Sequence, residues 1–371
     1  MAEDTGKNQK KLKIGILTFH YAHNYGAVLQ CYALQITLEK YFPNAQVSII
    51  DYKNQKILQD YAIFRLKNKN LCNIIHSVAG TFIYFSQKTK CRRSFKSFTN
   101  KYLKIGTSDL SKYDAIFYGS DQIWNPEITH GTDKVYFGDG FDGTKISYAA
   151  SDGNKLELAD EIINLLEKFS FVSVREKSSE EKFSVLKNIC SVCDPVFLLS
   201  KDDWLKVAVF PKEKNYIFAY KIGENLQFDN EVEKLGKLIG KKVIQAVYVK
   251  PLKKIFYKGQ NLKQGINPLE FIGFFANSDF VVTTSFHGTS FSVVLEKPFF
   301  SLQIGSYSER ITDLLNSVGL EKQYVKTVPQ KIESDIYSDK VKEKIAALRK
   351  SGTDFIEKSK GKIFQDVGAE K

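Results

Sequence analysis

The stretch Thr284-Ser285-Phe286-His287-Gly288-Thr289 gathers an imidazole, several hydroxyls and a glycine between the apolar run Phe280 to Thr284 and a helix-like segment, Thr289 to Glu296. Amides at a helix start have no partner within the helix and point at whatever lies there. Together with the helix dipole they favour an anion. His287 adds an ionisable group, Ser285, Thr289 and Ser290 add hydroxyl donors, and Gly288 permits close approach. A second set, Gly119-Ser120-Asp121-Gln122-Ile123-Trp124-Asn125, follows the apolar run Asp114 to Tyr118. Asp121 there is either a general base or hydroxyl binder, or a turn residue. Arg175 follows Phe171-Val172-Ser173-Val174. Its planar fork suits phosphate or carboxylate, and the rival partners are Glu176 and Glu180. The loop His20 to Gly26 offers His20, Tyr21, His23, Asn24 and Tyr25 to a sugar or phosphate. It lacks G-x-G-x-x-G, so it gives a dinucleotide fold no support.

These loops need strands to carry them, because open parallel sheets bind ligands beyond the carboxyl ends of their strands. Lys13 to Phe19 reads as a buried strand, Ala27 to Tyr41 as a helix with Ala27, Cys31, Leu34 and Leu38 on one face, and Val47 to Ile50 as the next strand. Asp114 to Tyr118, Lys145 to Ala150 and Phe171 to Val174 continue the series, with a helix over Glu157 to Phe169. A second unit follows: strands over Asn215 to Lys221, Lys242 to Val249, Phe280 to Thr284 and Pro298 to Leu302, a helix over Leu269 to Ala276, and charged helical segments from Asp339 to Ile363. The fold class expected is α/β, with two facing Rossmann-like domains. The expected division is 12–168 with a basic helical insertion at 53–104, then 169–335, then 336–371 returning to the first domain. The interval 195–212 is the other place for the boundary.

Composition limits the function. The 371 residues are 43% hydrophobic, which suits two ordinary domains. Met1 to Lys13 is polar with four lysines, and no run approaches the roughly 18 apolar residues of a membrane-spanning helix, so the expectation is a cytoplasmic protein. Cys190 and Cys193 form a C-x-x-C with no second ligand pair, which points to buried thiols rather than zinc. Of the net +12, Lys53 to Lys104 holds +11: twelve Lys or Arg against Asp60 alone. That segment flanks the apolar stretch Leu71 to Phe85 with Lys67, Lys69, Lys88, Lys90, Arg92 and Arg93, which suits an anionic membrane surface or a helical hairpin packed on the first domain. No helix-turn-helix, finger or aromatic RNA-binding string is present, so no nucleic-acid partner is expected.

Six strings, in order, resemble the polysaccharide pyruvyl transferase family: Asn24-Tyr25-Gly26-Ala27-Val28-Leu29-Gln30, Gly119-Ser120-Asp121-Gln122-Ile123-Trp124, Ser147-Tyr148-Ala149-Ala150-Ser151, Ser173-Val174-Arg175-Glu176, Asp194-Pro195-Val196 and Thr284-Ser285-Phe286-His287-Gly288. The resemblance runs from about Leu12 to Leu320. It implies a fold like that of two-domain GT-B glycosyltransferases, and transfer of pyruvate from phosphoenolpyruvate to two hydroxyls of a sugar, as a ketal, without metal or cofactor. It implies an acceptor on a polyprenyl carrier, used for a capsular polysaccharide or exopolysaccharide, and hence an enzyme peripheral to the inner membrane face. It places Arg175 and His287 on the donor, where Ser285, Gly288 and Thr289 stand beside them; the ketal chemistry then assigns His287 as general acid or phosphate partner and Asp121 as the base or the group that orients the acceptor hydroxyls. His20, Tyr21, His23, Asn24, Tyr25, Gln122 and Trp124 fall to the acceptor side. Where the family carries Arg-Leu-His this chain has Ser285-Phe286-His287, so one cation is missing from its expected place. A donor with up to three negative charges calls for a second cation, and Arg310 is the candidate. A nucleotide-sugar glycosyltransferase and a non-catalytic glycan-binding relative are the alternatives on the same fold.

Overall fold

The computed structural model describes residues 11–60, 71–248, 261–304 and 308–368, with the side chains of 60 and 71–84 excepted. Twelve strands form two six-stranded sheets in which every neighbouring pair is parallel. The first contains β1 (Lys13–Leu17), β2 (Gln46–Ile49), β3 (Ala115–Tyr118), β4 (Thr144–Ala150), β5 (Phe171–Val174) and β6 (Ile189–Ser191), in the order β2-β1-β3-β4-β5-β6. The second contains β7 (Tyr216–Tyr220), β8 (Lys242–Val247), β9 (Asn261–Gln264), β10 (Phe280–Thr283), β11 (Phe299–Leu302) and β12 (Tyr324–Val325), in the order β12-β11-β10-β7-β8-β9. The strands β3, β7, β10 and β11 are buried at every residue, because helices cover both faces of a parallel sheet. The architecture is the expected pair of Rossmann-like α/β domains.

The division between the sheets is not at 168. Strand β5 pairs with β4 through Ile146–Phe171 and Ser147–Val172, and β6 pairs with β5. Both strands lie beyond residue 168 yet belong to the first sheet, and the second sheet begins only at Tyr216. The reason is topological: the helix Asp160–Leu166 is a crossover that returns the chain to the same sheet, so pairing rather than chain order decides membership. Strands β6 and β12 carry too few residues to show an apolar period in the sequence, and β9, Asn-Leu-Lys-Gln, is polar.

Two helices tie the halves together. The helix Tyr25–Tyr41 starts at Asn24, whose side chain accepts from the Gly26 and Ala27 amides. Tyr25 stacks on Phe271 of the second domain at 4.2 Å between ring centroids. The closing helix Asp339–Val367 packs Phe355 against Tyr148 and Phe171, and Phe364 against Phe42, all in the first domain. Just before it, the Tyr337 hydroxyl donates to the Ser292 and Lys297 carbonyls of the second domain. The expected return to the first domain is therefore also a bridge to the second. The basic insertion contains the helices Gln55–Asp60 and Leu71–Tyr102. Cys91, Phe95 and Phe98 are buried on the long helix, while Lys90, Arg92, Arg93, Lys96 and Lys101 are exposed. Of the apolar stretch Leu71 to Phe85, only the Phe85 side chain lies within the described residues.

Candidate active site

The carboxyl ends of β3, β5, β6 and β10 meet where the two sheets face one another. Beyond β3, Ser120 and Asp121 are held from beneath: the Thr18 hydroxyl donates to the Ser120 carbonyl at 2.8 Å, and Gln30 Nε2 donates to that Thr18 oxygen at 2.9 Å. Asp121 adopts a left-handed backbone (φ 72°), which Asp tolerates better than most side chains. Its carbonyl accepts from the Ser151 amide and its Oδ1 from the Gln122 amide at 2.9 Å.

Beyond β5 and β6 lies a buried ion cluster. Arg175 Nε donates to Glu176 Oε1 at 2.9 Å and Nη1 donates to Asp194 Oδ2 at 3.0 Å, and all three side chains are 4% exposed or less. Charges so far from water persist only when paired. Asp194 Oδ1 accepts from the Val196 amide at 3.0 Å, and the Ser120 hydroxyl, which donates to the Ala149 carbonyl at 2.9 Å, lies 3.4 Å from its Oδ2. His287 Nε2 stands 3.6 Å from that same oxygen, an ion-pair distance longer than a good hydrogen bond. Burial pushes the Asp194 carboxyl up, but the interactions with His287 and Arg175 outweigh it and hold it at about 2. Burial opposes the Arg175 charge, while Glu176, Asp194 and Asp121 stabilise it and raise its pKa overall.

From the second domain come His287 and Arg310. The helix bearing His287 begins at Phe286 rather than near Thr289. The Ser285 carbonyl accepts both the Thr289 amide, at 2.9 Å, and the Thr289 hydroxyl, at 3.0 Å, and this closes the first turn early. His287 is therefore a helical residue, and the amides at the helix start are those of Phe286, His287 and Gly288. No side chain caps that end. Thr289 also bonds Ser301, and Ser290 donates to the Phe286 carbonyl, so both hydroxyls are turned into the protein and neither serves as a ligand donor. Gly288 meets its own strand: a Cβ there would lie 2.1 Å from Thr283 Oγ1. Its smallness serves packing rather than ligand approach. Ser285 is buried at the helix cap.

Phe286 sits between two cations. The Arg175 guanidinium carbon is 4.3 Å from its ring centroid and that of Arg310 is 5.9 Å. Arg310 makes no ion pair with a described residue. Burial and the neighbouring Arg175 charge lower its pKa, with Glu176 and Asp121 acting against them. A cleft of about 90 Å³ is lined by Arg175, Glu176, Asp194, Phe286 and Arg310, and Leu348 of the closing helix forms part of its wall. His287 flanks it, next to Phe286 and beside Asp194.

The residues expected on the acceptor side divide. Trp124 is buried, donates its indole N–H to the Tyr136 carbonyl and stacks on Phe137, so it is a core residue with no face for a ligand. Tyr25 is buried and donates to the Ile266 carbonyl, so it joins the domains instead. His20 is buried between the Thr18 carbonyl and Asp51, and burial lowers its pKa despite Asp51. Tyr21, His23, Asn24 and Gln122 keep partial exposure. The His23 ring bonds the Tyr248 hydroxyl at 3.0 Å, and burial with nearby Arg92 lowers its pKa to about 4. Cys193 is buried and Cys190 half-buried. Among the described residues no group of three His, Cys, Asp or Glu stands ready for a metal ion, and no helix is long and apolar enough to cross a membrane.

Two residues at this centre, Asp194 and Gly26, received no role from the sequence, and Glu176 entered it only as a rival partner of Arg175, which it is. Asp194 joins Arg175 to His287, Glu176 flanks Arg175, and Gly26 lies so close to His287 that a Cβ would meet its Nδ1 at 2.1 Å. The signals were present: a carboxylate between Cys193 and Pro195 in an apolar run, and a second one next to Arg175.

Among solved structures the chain is similar to the UDP-GlcNAc 2-epimerase of Neisseria meningitidis bound to UDP-GlcNAc, at 10% identity and a TM-score of 0.48, covering 96% of this chain and 99% of that one. It is similar also to the E. coli heptosyltransferase WaaC with ADP, at 12% identity and 0.38, covering 91% and 100%. No curated protein matches the sequence. The family model described as Polysaccharide pyruvyl transferase matches residues 24–306, a span that takes in the strands from β2 to β11, the Arg175 cluster and the His287 helix, and ends before Arg310. The chain belongs to the polysaccharide pyruvyl transferase family.

Proposed function

We propose that this protein transfers pyruvate from phosphoenolpyruvate to two hydroxyls of a sugar in a lipid-linked surface glycan, forming a ketal. One observation carries the reading: two guanidiniums, Arg175 from the first domain and Arg310 from the second, converge on Phe286 beside an uncapped helix start. Such a site suits a small ligand with carboxylate and phosphate groups. Arg175 is largely occupied by Glu176 and Asp194, so Arg310 supplies the charge that the donor calls for. In this reaction the methylene carbon takes a proton, C2 is attacked by one hydroxyl, phosphate leaves with its bonding pair, and a second hydroxyl closes the ring. We assign His287 to give the proton, and Asp121 to orient the acceptor hydroxyls. Tyr21, His23, Asn24 and Gln122 are the acceptor-side residues with surface left to offer.

The test is mass spectrometry of a lipid-linked glycan incubated with protein and phosphoenolpyruvate. A gain of about 70 Da, pyruvate less water, supports the reading by mass balance. No gain, with thermal stabilisation by UDP- or GDP-sugars but not by phosphoenolpyruvate, supports glycosyl transfer instead. Arg92, Arg93, Lys96 and Lys101 give the long helix an exposed basic face, and we assign it reversible docking on the anionic inner membrane surface where such acceptors lie. Co-sedimentation with anionic but not neutral vesicles, lost above about 0.5 M salt, is the expected result.

A further inference from the structure

Four carboxylates lie about the two guanidiniums, and among the described residues one of the four holds a buried oxygen without a partner. Asp194 has both oxygens filled, Oδ1 by the Val196 amide and Oδ2 by Arg175. Asp313 accepts the Lys177 amide. Asp121 accepts the Gln122 amide and lies outside the cleft lining. Glu176 differs from these. Its Oε1 takes both Arg175 Nε and the Ser151 hydroxyl, at 2.9 Å each, which fixes the side chain. Its Oε2 is buried and has no hydrogen-bond partner among the described residues, and the residue lines the cleft with Arg310. The second prong of Arg175, Nη2, is likewise buried and open. A buried carboxylate oxygen left unpaired is unfavourable, because it has given up water without gaining a donor. Beside an anion site it also repels the anion, so it needs a partner that brings a proton, as a hydroxyl does.

We propose that Glu176 is a catalytic residue that receives the proton of the attacking sugar hydroxyl through Oε2 while Oε1 stays bound to Arg175 and Ser151. The assignment rests on the pyruvyl-transfer reading. His287 gives a proton to the methylene carbon. The hydroxyl oxygen bonds to C2 and its proton passes to Glu176. The C2–O bond to phosphate breaks, the phosphate keeping the electron pair and taking the Glu176 proton. The second hydroxyl then closes on C2 and its proton returns to His287. Both side chains are restored, one hydroxyl proton ends on the new methyl group and the other on phosphate.

The experiment is calorimetry with phosphoenolpyruvate, and with inorganic phosphate, on wild type and E176Q, alongside turnover and thermal melts. E176Q keeps the shape and removes a negative charge beside two arginines. Turnover should fall about 100-fold or more, while both anions bind as tightly as to wild type or tighter. A loss of anion affinity matching the loss of turnover makes Glu176 only a counter-ion that sets Arg175, and overturns the proposal. So does E176Q that turns over like wild type. If E176Q does not fold, E176D keeps the charge on Arg175 but draws the oxygen back by about one methylene. Turnover should drop with anion affinity kept, and undiminished turnover overturns the proposal. A wild-type protein that consumes no phosphoenolpyruvate with glycan acceptors overturns the pyruvyl reading itself, and Glu176's role with it.

Discussion

Gly26 sits at the start of the helix Tyr25–Tyr41, in the first turn and with ordinary helical φ, so nothing in its backbone requires glycine. By helix propensity alone, Gly26→Ala should stabilise the protein, by up to about 1 kcal/mol. The tertiary contact reverses the sign. The added methyl would lie 2.1 Å from His287 Nδ1, 2.2 Å from Cγ and 2.6 Å from Cε1. Carbon contacts settle near 3.5–4.0 Å, so the imidazole must retreat by more than about 1 Å, or the domains must part. Overpacking of this kind costs about 1–3 kcal/mol, which cancels or exceeds the propensity gain. The larger effect falls on chemistry, since a displacement of about 1 Å at a reacting group costs on the order of 100-fold in rate. We therefore expect G26A to melt at or a few degrees below wild type and to lose about 100-fold in kcat/KM with phosphoenolpyruvate. Steady-state kinetics and a thermal melt read both quantities. A G26A enzyme within about threefold of wild type in kcat/KM would refute the placement of His287 against this helix, or its part in the reaction.

Arg310→Ala should weaken phosphoenolpyruvate binding by about 10- to 100-fold, the value of a charge-assisted contact, and Arg310→Lys should recover part of it; calorimetry decides, and an unchanged affinity removes Arg310 from the donor site. His287→Gln and Asp121→Asn should each abolish turnover, while only Asp121→Asn should leave donor affinity at the wild-type value; equal losses of affinity would mean that the two do not divide between donor and acceptor. His23 is held to about 4 by burial first and Arg92 second, well below the usual 6.5. The folded state therefore prefers the neutral ring. Its contribution is complete above about pH 6.5 and is lost as pH falls from 6.5 towards 4. Denaturant midpoints across that window should fall less steeply in His23→Gln than in wild type.

Much of the architecture was legible because it is local. The apolar runs of β1, β3, β5, β7 and β10 are nearly uninterrupted, as strands covered on both faces must be, and the loops after them carry the polar side chains that a parallel sheet collects at its carboxyl ends. Arg175, His287 and Arg310 were therefore visible as candidates before any coordinate. What no local pattern contains is which distant residue each would meet. The ring of His287 rests on Gly26, 261 positions earlier, and its other nitrogen faces Asp194. The fork of Arg175, open to an anion in the sequence, is taken up by Glu176 and Asp194 because a charge buried that deeply is stable only when paired. Trp124 and Tyr25 look like sugar-stacking residues by type, yet each finds a backbone carbonyl for its polar atom and an aromatic ring for its face, which makes core and interdomain packing their place. The chain spelled out the elements and the side chains at their ends; the closing of two sheets against each other decided which of those side chains are spent on one another and which are left for a ligand.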